Sequence, residues 1–170
     1  VAWGDEGGKG TGGTLEWCDP SSGPLPTLDV WMGTWSPVVH HFSSNWRELR
    51  TLVAAIERVS DFSLAQHVII YFTDNIVTYH TVRKGTSASP NLRYLIQRLK
   101  MREMFLSCRV EVIHVPGKTM IRQGTDALSR GLWLTPFRDT SVNYAAALFR
   151  PAPLHPALCM WALTKLATFT

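Results

Sequence analysis

Residues 71–80 read YFTDNIVTYH, and the apolar run Val68-Ile69-Ile70-Tyr71-Phe72 leads directly into a lone acid, Asp74. The chain then turns helical with no glycine-rich phosphate loop between. From His67 to Thr73 the residues are apolar throughout instead of alternating, which marks a central strand covered on both faces. Ligands of sheets with parallel strands collect just outside the strands' carboxyl ends. Asp74 stands at such an end, so it is the first candidate for function.

Working upstream, Val1 to Asp5 reads as the end of a strand and Glu6 to Gly13 as a glycine-rich turn. Thr14 to Cys18 alternates, with Leu15 and Trp17 on one face, and Leu28 to Trp35 alternates with Leu28, Val30 and Met32 together. The stretch DPSSGPLP between them is a loop by composition. Three strands on short turns predict an antiparallel meander. In SSNWRELRTLVAAIERV the period changes: Leu49, Leu52, Val53 and Ile56 recur at helical spacing, with Asn45 as the expected N-cap.

Downstream of Asp74 a helix is expected, then a loop at GTSASP, then a helix from Asn91 to Met104 carrying Arg93, Arg98, Lys100 and Arg102. Arg109 to Val115 alternates as a fifth strand, PGK turns the chain, and Thr125 caps a short helix beginning at Asp126. The order predicts an α/β fold, a five-stranded mixed sheet with flanking helices, because helical crossovers imply parallel pairing. The domain is expected over residues 1–131. Residues 132–170, with the proline cluster RPAPLHP and the segment ALCMWALTKLATF, form an extension with no assignment.

The chain has 170 residues, enough for one ordinary core, and 45% are hydrophobic. Its net charge of +4 is compatible with a polyanionic partner. Cys18, Cys108 and Cys159 are too widely spaced for a disulfide framework or a zinc pattern, which points to a reducing compartment, cytoplasmic or nuclear rather than secreted. No signal peptide or apolar run of bilayer length is present. Because Val1 opens inside a strand, the chain is expected to be a piece of something larger.

Four acids occupy positions of interest. Asp5 and Asp74 sit at the ends of expected core strands. Glu48 falls about 40° from Leu52 on its helix, at the border of the core-facing stripe. Asp126 opens the last helix. Each also has a plain folding explanation: Glu48 could complete a capping box with Asn45, Asp126 could favour a helix N-terminus, Asp74 could cap the helix after it, and Asp5 could be a turn aspartate. Those explanations do not predict all four at one edge of one sheet. Two like charges ~4 Å apart repel by roughly 4 kcal/mol at an effective dielectric of 20, which a hard divalent cation would relieve. Oxygen ligands without Cys or His point to magnesium or manganese, and two such ions suit phosphodiester hydrolysis.

The motifs resemble those of retroelement ribonuclease H domains. GDEGGKGTGGTLEW is similar to the first-strand motif of that family, SNWRELRTLVAAIE to its first helix, YFTDN to its fourth strand, and HVPGKTMIRQGTDALSRG to its C-terminal signature. The likeness covers about residues 1–131 and is greatest to gypsy-like and DIRS-like retrotransposon polyproteins. It implies a ribonuclease H-like sheet whose first three strands are antiparallel, with Asp5, Glu48, Asp74 and Asp126 as catalytic ligands of two Mg2+ ions, for which Mn2+ could substitute. It also implies cleavage of the RNA strand of RNA–DNA hybrids, a polymerase domain of the same polyprotein as partner, and His114 as a product-release residue, although Val110, Val112 and His114 share one strand face and His114 could be structural. The chain departs from the family in having Glu6 after Asp5 and no asparagine in KTMIRQGT.

Substrate phosphates would fall to basic residues: Arg83, Lys84, Arg98 and Arg102, with Asn75 placed to touch the RNA sugar. A solvated helix face is the plain alternative for the basic residues. A catalytically inactive hybrid-binding or structural module, and an integrase or resolvase of the same fold, are the competing expectations.

Overall fold

The computed structural model describes residues 1–19, 23–58, 66–123 and 125–130. Five strands, β1 (Ala2–Gly7), β2 (Gly10–Asp19), β3 (Gly23–Thr34), β4 (Val68–Thr73) and β5 (Arg109–His114), form one sheet in the order β3-β2-β1-β4-β5. The first three are antiparallel neighbours, and β4 runs parallel to both β1 and β5. Among the described residues five α-helices accompany them: α1 (Ser44–Arg58), α2 (Ile76–Lys84), α3 (Pro90–Leu106), α4 (Gly117–Gln123) and α5 (Thr125–Ser129). This is the five-stranded mixed sheet with flanking helices that the sequence predicts, with the antiparallel first three strands that the family resemblance implies.

Strand alternation divides the core into two layers. Ala2, Ile69, Tyr71, Val110 and Val112 face α1 and α3, whose Leu49, Leu52, Val53, Ile56, Leu95 and Leu99 are fully or almost fully buried. Each such side chain contributes roughly 1.5–3 kcal/mol through burial. Trp3, Ile70, Phe72 and Ile113 face the other way, toward Met120 of α4. Trp3 and Phe72 stack there with ring centroids 4.2 Å apart. Trp31 lies in the first layer with Leu15. The side chains of Trp17, Leu28, Val30 and Met32 fall outside the described residues.

Several expectations about local structure are corrected. The glycine-rich segment is not one long turn: only Gly8 and Lys9 turn, and Gly10–Gly13 belong to β2. A Cβ on Gly12 would lie 2.5 Å from Leu128 Cβ, and one on Gly13 would lie 2.1 Å from the Trp31 ring. These glycines therefore serve close packing against α5 and Trp31, in a strand. Ser43, not Asn45, caps α1, its Oγ accepting from Trp46 N at 3.2 Å. The PGK turn continues into α4, an additional helix. A short 3-10 helix at Pro37–His41 also precedes α1. The proline cluster and the apolar segment beyond residue 131 lie outside the described residues. Among the described residues no helix is long and apolar enough to cross a membrane.

Candidate metal centre

The register of the central strands builds the site. The last pair between β1 and β4 is Trp3↔Phe72, so two residues further on stand Asp5, within β1, and Asp74, the first residue after β4, where the strands part. α1 crosses one face of the sheet and presents Glu48 to the same gap. One carboxylate oxygen from each of Asp5, Glu48 and Asp74 lies within 4.8 Å of the others. Asp5 and Glu48 are buried, 7% and 2% exposed, and Asp74 is only partly covered.

The folding explanations for these acids are not what the structure uses. Glu48 does not close a capping box. Its Oε2 accepts from Glu6 N at 3.1 Å and its Oε1 from Thr73 Oγ1 at 3.0 Å. Asp74 does not cap α2 either: Asn75 does, accepting from Thr78 N at 2.8 Å. Asp5 belongs to β1 and not to a turn. Its Oδ2 lies 2.8 Å from Ser129 Oγ, which is also 2.8 Å from the Asp126 carbonyl oxygen.

Asp126 sits beside this trio without joining it. Its carboxylate takes three hydrogen bonds of 2.8–3.0 Å from the Arg130 guanidinium. Its charge still reaches the cluster and helps to raise the carboxyl pKa of both Asp5 and Asp74.

Burial dominates the electrostatics. Burial first, opposed by the Ser129 bond and reinforced by Asp74 and Asp126, pushes the Asp5 pKa up to about 7. Burial followed by the Asp5 charge raises Glu48 well above the usual carboxylate range, against the hydrogen bond from Thr73. Burial also raises Asp74, with His114 acting in the opposite direction. Beneath them, burial and then the charges of Glu48, Asp5 and Asp74 raise the Tyr71 phenol. Three oxygen ligands that resist ionising together are what a hard divalent cation would stabilise, and the trio fits one.

The remaining candidates are distributed as follows. His114 ends β5 on the face of Val110 and Val112, and its Nε2 lies 3.0 Å from the Asp74 carbonyl oxygen, so that nitrogen carries the proton. Asn75 has both ends of its amide engaged, since Nδ2 donates to Asn45 Oδ1 at 3.1 Å. Arg83 and Lys84 are exposed on the last turn of α2, with the Arg83 guanidinium over the Tyr79 ring. Arg98 pairs with Glu57 of α1, and Arg102 lies over Phe105. Glu57 is nine residues along α1 from Glu48, roughly 14 Å at 1.5 Å per residue. Arg98 and Arg102 thus face a different stretch of surface from the acids.

Three contributors were not singled out from the sequence. Thr73 shares the α1-facing side of β4 with Ile69 and Tyr71, and a hydroxyl at that parity was the available signal. Ser129 lies one helical turn from Asp126, inside the DALSR motif. Gly117, read only as part of a turn, approaches the site so closely that a Cβ there would lie 2.9 Å from Asp74 Oδ2.

No protein-family profile matches the chain, and no curated protein sequence is significantly similar to it. Solved structures do share its fold. The RNase H1 of the halophilic archaeon Halobacterium salinarum NRC-1 superposes with a TM-score of 0.58 at 22% identity, over 75% of this chain and 91% of that one. LC11-RNase H1, solved in complex with an RNA/DNA hybrid, gives 0.58 at 16% identity over 75% and 91%. The N-terminal RNase H domain of Rv2228c from Mycobacterium tuberculosis, solved as a fusion with maltose binding protein, gives 0.55 at 15% identity over 76% and 93%. At such identities the likeness shows the fold alone: the chain has an RNase H-like fold.

Proposed function

We propose that the domain hydrolyses the RNA strand of RNA–DNA hybrids in a metal-dependent reaction, as part of a retroelement reverse-transcriptase polyprotein. The observation that carries this reading is the convergence of Asp5, Glu48 and Asp74 at the carboxyl ends of β1 and β4 in an RNase H-like sheet. Asp5, Glu48 and Asp74 would hold Mg2+, or Mn2+ in its place, with Asp126 as the further acid for a second ion. When bound, two such ions activate a water and stabilise the leaving oxygen of a phosphodiester.

The chain's own groups prepare that chemistry. Thr73 and the Glu6 amide fix both oxygens of Glu48. Ser129 orients Asp5. His114 holds the carbonyl of Asp74, a positioning role that we prefer to product release. Arg130 engages Asp126, and its release would free that carboxylate for the second ion. The exposed Arg83 and Lys84 on α2 are the basic pair nearest in sequence to Asp74 and suit phosphate contact, and Asn75 would offer the remaining N–H of its amide to the hybrid. One feature favours a non-catalytic module instead, namely the engagement of Asp126 by Arg130.

The test is cleavage of a labelled RNA–DNA hybrid in the presence of Mg2+. The wild-type chain is expected to nick the RNA and not the DNA. Asp74→Asn, with unchanged circular dichroism, is expected to lose at least about 100-fold in rate, on the order of 2.7 kcal/mol of transition-state stabilisation. Undiminished cleavage by that variant would remove the mechanism.

A further inference from the structure

Charged residues adjoin two of the acids in sequence: Glu6 follows Asp5, and Arg47 precedes Glu48. They meet across the site. Arg47 Nε donates to Glu6 Oε2 at 3.1 Å, with side chains only 14% and 10% exposed. Arg47 Nη1 also donates to the Phe42 carbonyl at 2.8 Å, which ties the segment before α1 to the same guanidinium. One turn further along α1, Thr51 Oγ1 lies 2.6 Å from Thr11 Oγ1 of β2.

This bracing falls where the sheet provides least support. Beyond Trp3, β1 has no paired residue on β4. There the end of β1 is joined to α1 through the Glu6–Arg47 pair and the Glu6 amide bond to Glu48, and to α5 through Ser129 and Asp5. The Arg47 charge is answered by Glu6, whereas Arg130 is the cation that lowers the Asp5 pKa. Arg47 bonds to Glu6 and to the Phe42 carbonyl, beside the acids rather than to them, and so acts on the carboxylates by placing them.

We infer that the Glu6–Arg47 pair is a positioning element of the metal centre, setting the separation between Asp5 on β1 and Glu48 on α1. The inference rests on the metal-centre reading above. Partners of this kind, one bond removed from the ligands, typically change metal affinity 10–100-fold when removed. An ordinary exposed ion pair would leave affinity unchanged and contribute little to stability.

The test is calorimetric titration of the full chain with Mn2+, alongside thermal melts of the metal-free protein. Arg47→Ala is expected to weaken Mn2+ binding about 10-fold or more, while Arg47→Lys, which can still reach Glu6, recovers most of it. Glu6→Gln serves as a second, milder variant should Arg47→Ala fold poorly, and it is expected to weaken binding in the same direction. Arg50→Ala removes a different α1 ion pair, Arg50–Glu57; it is expected to change the melting temperature little and to leave Mn2+ affinity alone. Wild-type affinity in both Arg47→Ala and Glu6→Gln would overturn the inference, as would equal weakening by Arg50→Ala. A wild-type chain with no Asp74-dependent Mn2+ binding would instead overturn the metal-centre reading itself, and this inference with it.

Discussion

Glu48 shows how an acid can satisfy a folding rule in sequence and ignore it in space. Its position three residues after Asn45 suits a capping box, yet its two oxygens take Glu6 N and Thr73 Oγ1. Helical phase placed it at the edge of the buried stripe, and that much was legible. The partner at Thr73 was not, because it depends on the register of β4 against α1. Thr73→Val keeps the shape and deletes the hydroxyl that both donates to Glu48 and accepts from Asn75 N. We predict a loss of about 1–3 kcal/mol in stability, from denaturant unfolding, because buried groups are left without partners. Gly117→Ala should separate stability from function. Gly117 has no positive φ, so alanine is expected to leave the melting temperature equal or slightly higher. Its Cβ would crowd Asp74 Oδ2, and hybrid cleavage should fall in kinetic assays while the melt does not.

Among the elements, β4, α1 and the succession of strands and helices along the chain were readable because hydrophobic pattern reports directly on burial, whereas the strand order within the sheet was not. Strand β2 was read too short. Gly10–Gly13 carry the composition of a turn, and only the pressure of α5 and Trp31 shows why a strand needs glycine there. Helix α4 was missed because PGK looks like punctuation, and seven residues give too little periodicity to contradict it. The packing of α5 on β2 makes a testable link between element and site. A Cβ at Gly12 would lie 2.7 Å from the backbone carbonyl carbon of Leu128. Gly12→Ala must therefore shift α5, at a cost of roughly 1–3 kcal/mol, and carry Ser129 away from Asp5. Both the denaturation midpoint and Mn2+ affinity are expected to fall, whereas a fall in the midpoint alone would separate α5 from the site.

At the scale of the whole molecule, the raised carboxylates couple folding, metal and pH. Asp5 titrates near 7 when folded, against about 3.9 in an unfolded chain. Between those values the folded state holds the extra proton, so the contribution of Asp5 to metal-free stability is full below about 4 and is lost as pH rises through 7. Glu48 and Asp74 shift in the same direction. A divalent cation should reverse the trend, since it binds the ionised forms and displaces protons. Melts from pH 5 to about pH 8 are expected to show falling stability without metal and a metal-induced rise that grows with pH; a stabilisation independent of pH would contradict the linkage. The convergence of acids from β1, α1 and β4 was the part of the site that sequence order could suggest and only topology could supply. Its most direct test is anomalous diffraction from crystals soaked in Mn2+. The account predicts a Mn2+ peak bounded by carboxylate oxygens of Asp5, Glu48 and Asp74 and its loss in Asp74→Asn; a saturating soak with no peak among those three residues would contradict it.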